Sequence, residues 1–197
     1  MNLWWIMVDY RKRLKAYLID IAIVFIFIGL VNMFIKTNNN LLDDITNLNN
    51  NLRGSIISFN EYFHKYAEII KSIDKNSLFK TTINSLIIFS YFLITPIINK
   101  GSTIGQHILK IKVVDELGGE VTLIGLVRKN LIINGLAYTI LTTIMLFILP
   151  SFYYFIGVSL LGLIHIIVVI ISAFMVIYRR DKKGLQDIFS YTMIIEK

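Results

Sequence analysis

The chain has 197 residues, of which 55% are hydrophobic and only 17% charged, and its mean hydropathy is +0.66. A soluble domain carries nearer about a quarter charged residues, so the composition points away from a water-soluble globule and from a disordered chain. The formal charge is +7 and there is no cysteine, which removes disulfides, thiolate metal sites and cysteine nucleophiles.

A hydrocarbon core of about 30 Å takes roughly 20 apolar residues in helix. Residues 1–35 read as an amphipathic N-terminus and a first membrane span. Trp4, Trp5 and Tyr10 suit the headgroup region. The span itself is 14–35, interrupted by Asp20 and Asn32. It is too long for a cleaved secretion signal, carries an acid and lacks a small-x-small cleavage site, so it is expected to be retained. Residues 36–80 follow as an extracytoplasmic insertion, asparagine-rich at 37–40 and 47–51. An apolar stripe runs through it: Leu41, Ile45, Leu48, Leu52, Ile56, Phe59, Phe63, Tyr66, Ile70 and Ile73. Steps of three and four are helical spacing, and Gly54 is placed to divide the segment into two helices. Their stripes are expected to pack on each other, on a partner or on the membrane surface.

Residues 81–197 hold three further spans. The second is 81–98, closed by Pro96 and then Asn99-Lys100. Residues 101–105 are turn-rich, and 106–109 read as a short interfacial helix. Residues 110–116 are strand-like. Gly118-Gly119 is a hairpin signal, with Glu120-Val121 returning along the strand. Thr122 then caps a helix feeding the third span, 131–149. Pro150-Ser151 separates it from the fourth, 152–178, which contains His165. Residues 191–196 are again strand-like and are expected to join the hairpin. A strand cannot lie open in hydrocarbon, so this sheet belongs outside the bilayer core. The expected fold is an all-α membrane protein of four transmembrane helices, with a helical extracytoplasmic insertion and a small cytoplasmic β element.

Lys and Arg orient it. Arg11, Lys12, Arg13 and Lys15 precede the first span. Lys100, Lys110, Lys112, Arg128 and Lys129 lie between the second and third, and five more cations follow the fourth. The insertion has six cations nearly balanced by five acids. Both termini are therefore expected in the cytoplasm. The positive charge is explained by topology and anionic lipid, and no nucleic-acid recognition motif accompanies it.

The ionisable residues carry the functional expectations. A carboxylate such as Asp20 costs several kcal/mol within a span unless paired, hydrated or protonated. Arg13 lies seven residues earlier on the same helix face, roughly 10 Å away along the axis, so each needs another partner. Arg128, Lys129 and Asn134 are candidates for Asp20, and Asp187 for Arg13 or Arg128. Such a set either locks helix ends together or handles an ion, with Asp20 as the titrating carboxylate. His165 either titrates within the membrane or is held by a hydrogen bond to Asn134, Thr142 or Thr143. Gly157, Ser159 and Gly162 suit close helix approach. No zinc-protease, nucleophile-elbow or phosphate-loop motif is present. A Ser172–His165–Asp20 set has no local support. No enzyme activity, cofactor or metal is expected.

Arg13 with Ala16 and Ile19-Asp20 (RLKAYLID), GSTIGQHILKIKVVDELGG from Gly101, and LQDIFSYTMII from Leu185 together resemble the RDD family, named for one arginine and two aspartates. Arg13, Asp20 and Asp187 occupy the matching positions, and Arg128 resembles a further arginine common there. The resemblance covers about 10–35 and 85–197 and leaves out the outer insertion. Gln106 stands where Lys is frequent, Lys110 where Gly is frequent, and Gln186 where His often precedes the second aspartate. The resemblance implies a bacterial-type, multi-pass protein of the cell membrane. It implies cation/proton transport, as linked to some members, or service as a membrane partner of another protein, as linked to others. The expected partners are the lipid bilayer, a monovalent cation or proton, and a second copy or another membrane protein. The alternative to transport is a non-catalytic partner, binding through the outer insertion or the cytoplasmic sheet.

Overall fold

The computed structural model describes residues 8–35 and 40–197, and the side chains of all of these but 40–42. Trp4, Trp5, most of the asparagine-rich stretch 37–40 and the side chain of Leu41 lie outside the described residues. The element order is α1 (Tyr10–Asn32), α2 (Asn40–Arg53), α3 (Phe59–Ile98), α4 (Ile104–Ile108), β1 (Ile111–Asp115), α5 (Leu123–Ile133), α6 (Leu136–Ile148), α7 (Ser151–Tyr178), α8 (Leu185–Ser190) and β2 (Thr192–Glu196).

Helices α1, α3 and α7 are each long and apolar enough to cross a membrane. Their side chains do not pack into a water-excluding core of their own. Phe25 is 67% exposed and Ile166 60% exposed, and apolar surface on this scale needs lipid to cover it. The expected third span, 131–149, is not one straight helix. It is built from α5 and α6, which meet at a bend of 67° and together pass as a fourth span. Asn134 caps α5, and Gly135 takes a left-handed conformation with φ +67°. That backbone conformation costs a side-chain-bearing residue more than glycine and ends a helix. Thr122 caps α5 as expected, its hydroxyl accepting from the Gly125 N–H.

The outer segment also departs from expectation. Helix α2 ends at Arg53 next to Gly54, but α3 continues unbroken from the insertion into the second span. At 1.5 Å per residue its 40 residues reach about 60 Å, twice the hydrocarbon thickness. Helices α2 and α3 pack on each other. Leu48 is buried in that contact, but Ile56 and Phe59 at the turn are exposed. The stripe therefore covers itself only in part.

The β element pairs β1 with β2, antiparallel, in the register Ile111↔Glu196 to Asp115↔Thr192. The expected return strand at Glu120-Val121 shrinks to a single bridge, Val114↔Glu120. Thr122 begins a helix one residue later, so little length remains for a strand, and β2 pairs along the opposite edge of β1, where Val114 also meets Met193. Tyr191 is not strand but the left-handed cap of α8, with φ 54°. Val8, Ala16, Ile111, Val113 and Ile194 form a buried cluster that seats the sheet against the start of α1.

Candidate functional site

Asp20 is 1% exposed, and three neutral donors converge on it. Tyr91 Oη of α3 donates to Oδ1 at 2.6 Å, Thr103 Oγ1 to Oδ2 at 2.6 Å, and the Gly105 N–H to Oδ1 at 2.7 Å. The expected cations are not its partners. Thr103 and Gln106 form a reciprocal capping box at the start of α4, which aims the Thr103 hydroxyl. Gly105 permits the approach: a Cβ there would lie 2.2 Å from the Ala16 carbonyl oxygen. Both carboxylate oxygens therefore have hydrogen-bond partners without a cation beside them.

Arg13 and Lys129 meet at Asp187 instead. Arg13 Nη1 donates to Oδ2 at 2.9 Å, Lys129 Nζ to Oδ1 at 2.7 Å and the Gly184 N–H to Oδ2 at 3.1 Å. This cluster ties α1, α5 and α8 together. Burial opposes the Asp187 charge, but Lys129, Arg13 and the hydrogen bonds outweigh it and hold its pKa below the ordinary carboxylate range. Arg128 takes no part. One residue is about 100° around a helix, and that turn carries Arg128 out to stack over the Tyr191 ring at 5.8 Å.

Between these clusters and the far end of the bundle runs a series of polar side chains. Asn130 lines a small cavity with Asp20 and Tyr17. The Asn134 amide donates to Asn130 Oδ1, and Tyr17 Oη donates to Asn134 Oδ1 at 3.4 Å. Asn134, Tyr17 and His165 line a cavity of about 260 Å³ beside the α5–α6 break, otherwise walled by apolar side chains such as Val24 and Phe92. The expected hydrogen bond from His165 to Asn134, Thr142 or Thr143 is not formed among the described residues. Thr142 and Thr143 donate to carbonyls of their own helix. His165 stacks on Tyr138 with centroids 5.8 Å apart. Tyr138 in turn lies within electrostatic reach of Asp74 and Tyr154, and Tyr154 Oη donates to Asp74 Oδ2 at 2.8 Å. Gly157 faces Met145 and Gly162 faces Tyr138, so both sit at the α6–α7 contact; Ser159 is exposed and donates to its own helix.

Asp74 precedes Tyr91 by 17 residues on α3, so Asp74 and the Asp20 cluster lie roughly 26 Å apart along the bundle. That separation is close to the thickness of a hydrocarbon core, about 30 Å. Among the described residues, no three His, Asp or Glu side chains gather closely enough to hold a metal ion.

A sequence model of the RDD family matches residues 7–191, nearly the whole chain. The chain belongs to the RDD family. Its apolar helices make this RDD protein a multi-pass membrane protein. No curated protein and no solved structure matches it. The sequence pointed to Arg13, Asp20, Arg128, Asp187 and His165. It did not point to Tyr91, Gly105 or the Asp74–Tyr154 pair. The Thr103-x-x-Gln106 capping box was a readable signal for α4, and the Asn134-Gly135 dipeptide was one for the helix break.

Proposed function

We propose that this RDD protein passes a proton or a small monovalent cation across the cell membrane of a bacterial-type cell. The supporting observation is the helix broken at Asn134-Gly135 beside a cavity lined by Tyr17, Asn134 and His165. Irregular backbone at membrane depth is tolerated where it lines a cavity, and broken helices recur at ion sites. Asp74 and Asp20 supply a carboxylate near each mouth. His165, midway along α7, places an imidazole on the wall of that cavity. The Asp187 cluster holds the helices that frame the route. The distribution of Lys and Arg supports a topology with both termini, the sheet and Asp20 on the cytoplasmic side and Asp74 outside.

Purified protein in proteoliposomes, with a pH-sensitive dye inside, tests this. The native chain dissipates an imposed proton or cation gradient. His165→Phe preserves the stack on Tyr138 but carries no proton, and slows flux roughly tenfold or more. Asp20→Asn, if monodisperse, also loses flux. Equal leak from native protein, His165→Phe and empty vesicles rejects the reading.

A second reading rests on Ile56 and Phe59, exposed at the α2–α3 turn. There the chain is a membrane partner that docks another protein through this turn. Cross-linking from position 56 to a membrane protein, with no flux, favours it.

A further inference from the structure

A second cavity of about 260 Å³ lies between α1, α5 and α7, apart from the polar series though sharing Tyr17 and Ile133 with its walls. Its lining is divided. Arg13, Ser172 and Gln186 stand at one end, and Leu14, Ile132 and Val169 along the rest. Arg13 is only 9% exposed, yet two of its nitrogens, Nε and Nη2, have no hydrogen-bond partner. Its Nη1 is committed to Asp187. Asp187 also pairs with Lys129, so two cations share this one acid. A buried guanidinium with free donors calls for an acceptor, and the planar fork of arginine suits a phosphate. Leu14 is exposed and Val169 partly so, on helices that lie against lipid, so the groove opens sideways toward acyl chains.

We propose that this groove binds an anionic phospholipid of the surrounding bilayer, with its phosphate on Arg13 and one acyl chain along Leu14, Ile132 and Val169. The three features each match part of such a molecule: a free donor pair on a cationic side chain for the phosphodiester, an apolar wall for the chain, and a lateral opening for entry. The proposal does not depend on transport. It holds equally for a membrane partner protein.

The test is native mass spectrometry of delipidated protein in mild detergent, offered phosphatidylglycerol or phosphatidylcholine with the same acyl chains. One phosphatidylglycerol is retained per chain, and phosphatidylcholine is retained about tenfold less. Ala173→Phe fills the groove without touching the Arg13–Asp187 pair and abolishes retention. Arg13→Lys keeps a charge for Asp187 but removes the planar Nε–Nη2 fork, and weakens retention. If Arg13→Lys does not fold, Ala173→Phe decides alone. Equal retention of the two lipids, or undiminished phosphatidylglycerol on monodisperse Ala173→Phe, overturns the proposal. So does displacement by soluble glycerol phosphate at equal concentration, which assigns the site to a free phosphate compound.

Discussion

Asp20 and Asp187 are both fully buried acids, but they are held in opposite ways. Asp20 is surrounded by neutral donors, so its charge is balanced by dipoles; Asp187 is balanced by two cations. The difference predicts different mutants. Asp20→Asn replaces one accepting carboxylate oxygen with an NH2 donor that faces the donors Tyr91, Thr103 or Gly105, and costs about 2–3 kcal/mol of stability. Asp187→Ala leaves Arg13 and Lys129 buried and uncompensated, and costs about 3–5 kcal/mol. Thermal unfolding in detergent measures both, with Asp187→Ala showing the larger drop. The depressed pKa of Asp187 also sets a pH dependence. Its folded pKa lies below its unfolded value, so its stabilisation is complete above about pH 4. It is lost as pH falls below that through the folded pKa. Melting temperature is therefore expected to fall on the acid side below about pH 4, more steeply in the native protein than in Asp187→Asn. That Arg13 and Asp20 share a buried face was legible from their spacing alone. That Lys129 rather than Arg128 reaches Asp187 was not, because two adjacent cations can be told apart only once the rotation of α5 is known.

At the scale of elements, two glycines hold the geometry. Gly135 sits at φ +67°, with the space for its Cβ 3.4 Å from His165 Nε2. Gly135→Ala costs about 1–2 kcal/mol in backbone conformation and presses on the histidine. Gly105→Ala has no room against the Ala16 carbonyl, so α4 must lift and the Asp20 hydrogen bonds break. Overpacking of this kind costs about 1–3 kcal/mol before the lost bonds are counted. Both variants are expected to melt lower, and Gly135→Ala also to slow flux, in paired thermal and proteoliposome assays. The apolar stretches behind α1, α3 and α7 were readable because a span needs only length and hydropathy. The partner of β1 was readable in part. The strand-like residues near the C-terminus were visible, but the short distance from Gly119 to Thr122, which denies Glu120-Val121 a strand, matters only once α5 is seen to begin there. The continuity of α3 through the boundary at residue 80 was hidden because a change from polar to apolar composition does not interrupt a helix.

At the scale of the whole molecule, positive charge is concentrated toward one end. Fourteen Lys and Arg side chains belong to the segments at the sheet end. Fusions of a reporter that is active only in the cytoplasm are expected to work at both termini and to fail when inserted after Gly54. The polar series from Asp74 through His165 to Asp20 runs through an interior whose outer wall is lipid-facing. Neighbouring residues on α7 should therefore meet different solvents: His165 faces the cavity, whereas Ile166 is exposed on the outer surface. The absence of cysteine makes this directly measurable with single introduced thiols. Asn134→Cys and Ile166→Cys, in native membranes, are treated with a small, charged, water-soluble thiol reagent. A hydrated route through the broken helix predicts that Asn134→Cys is modified rapidly and Ile166→Cys remains inert; an Asn134→Cys as unreactive as Ile166→Cys contradicts it.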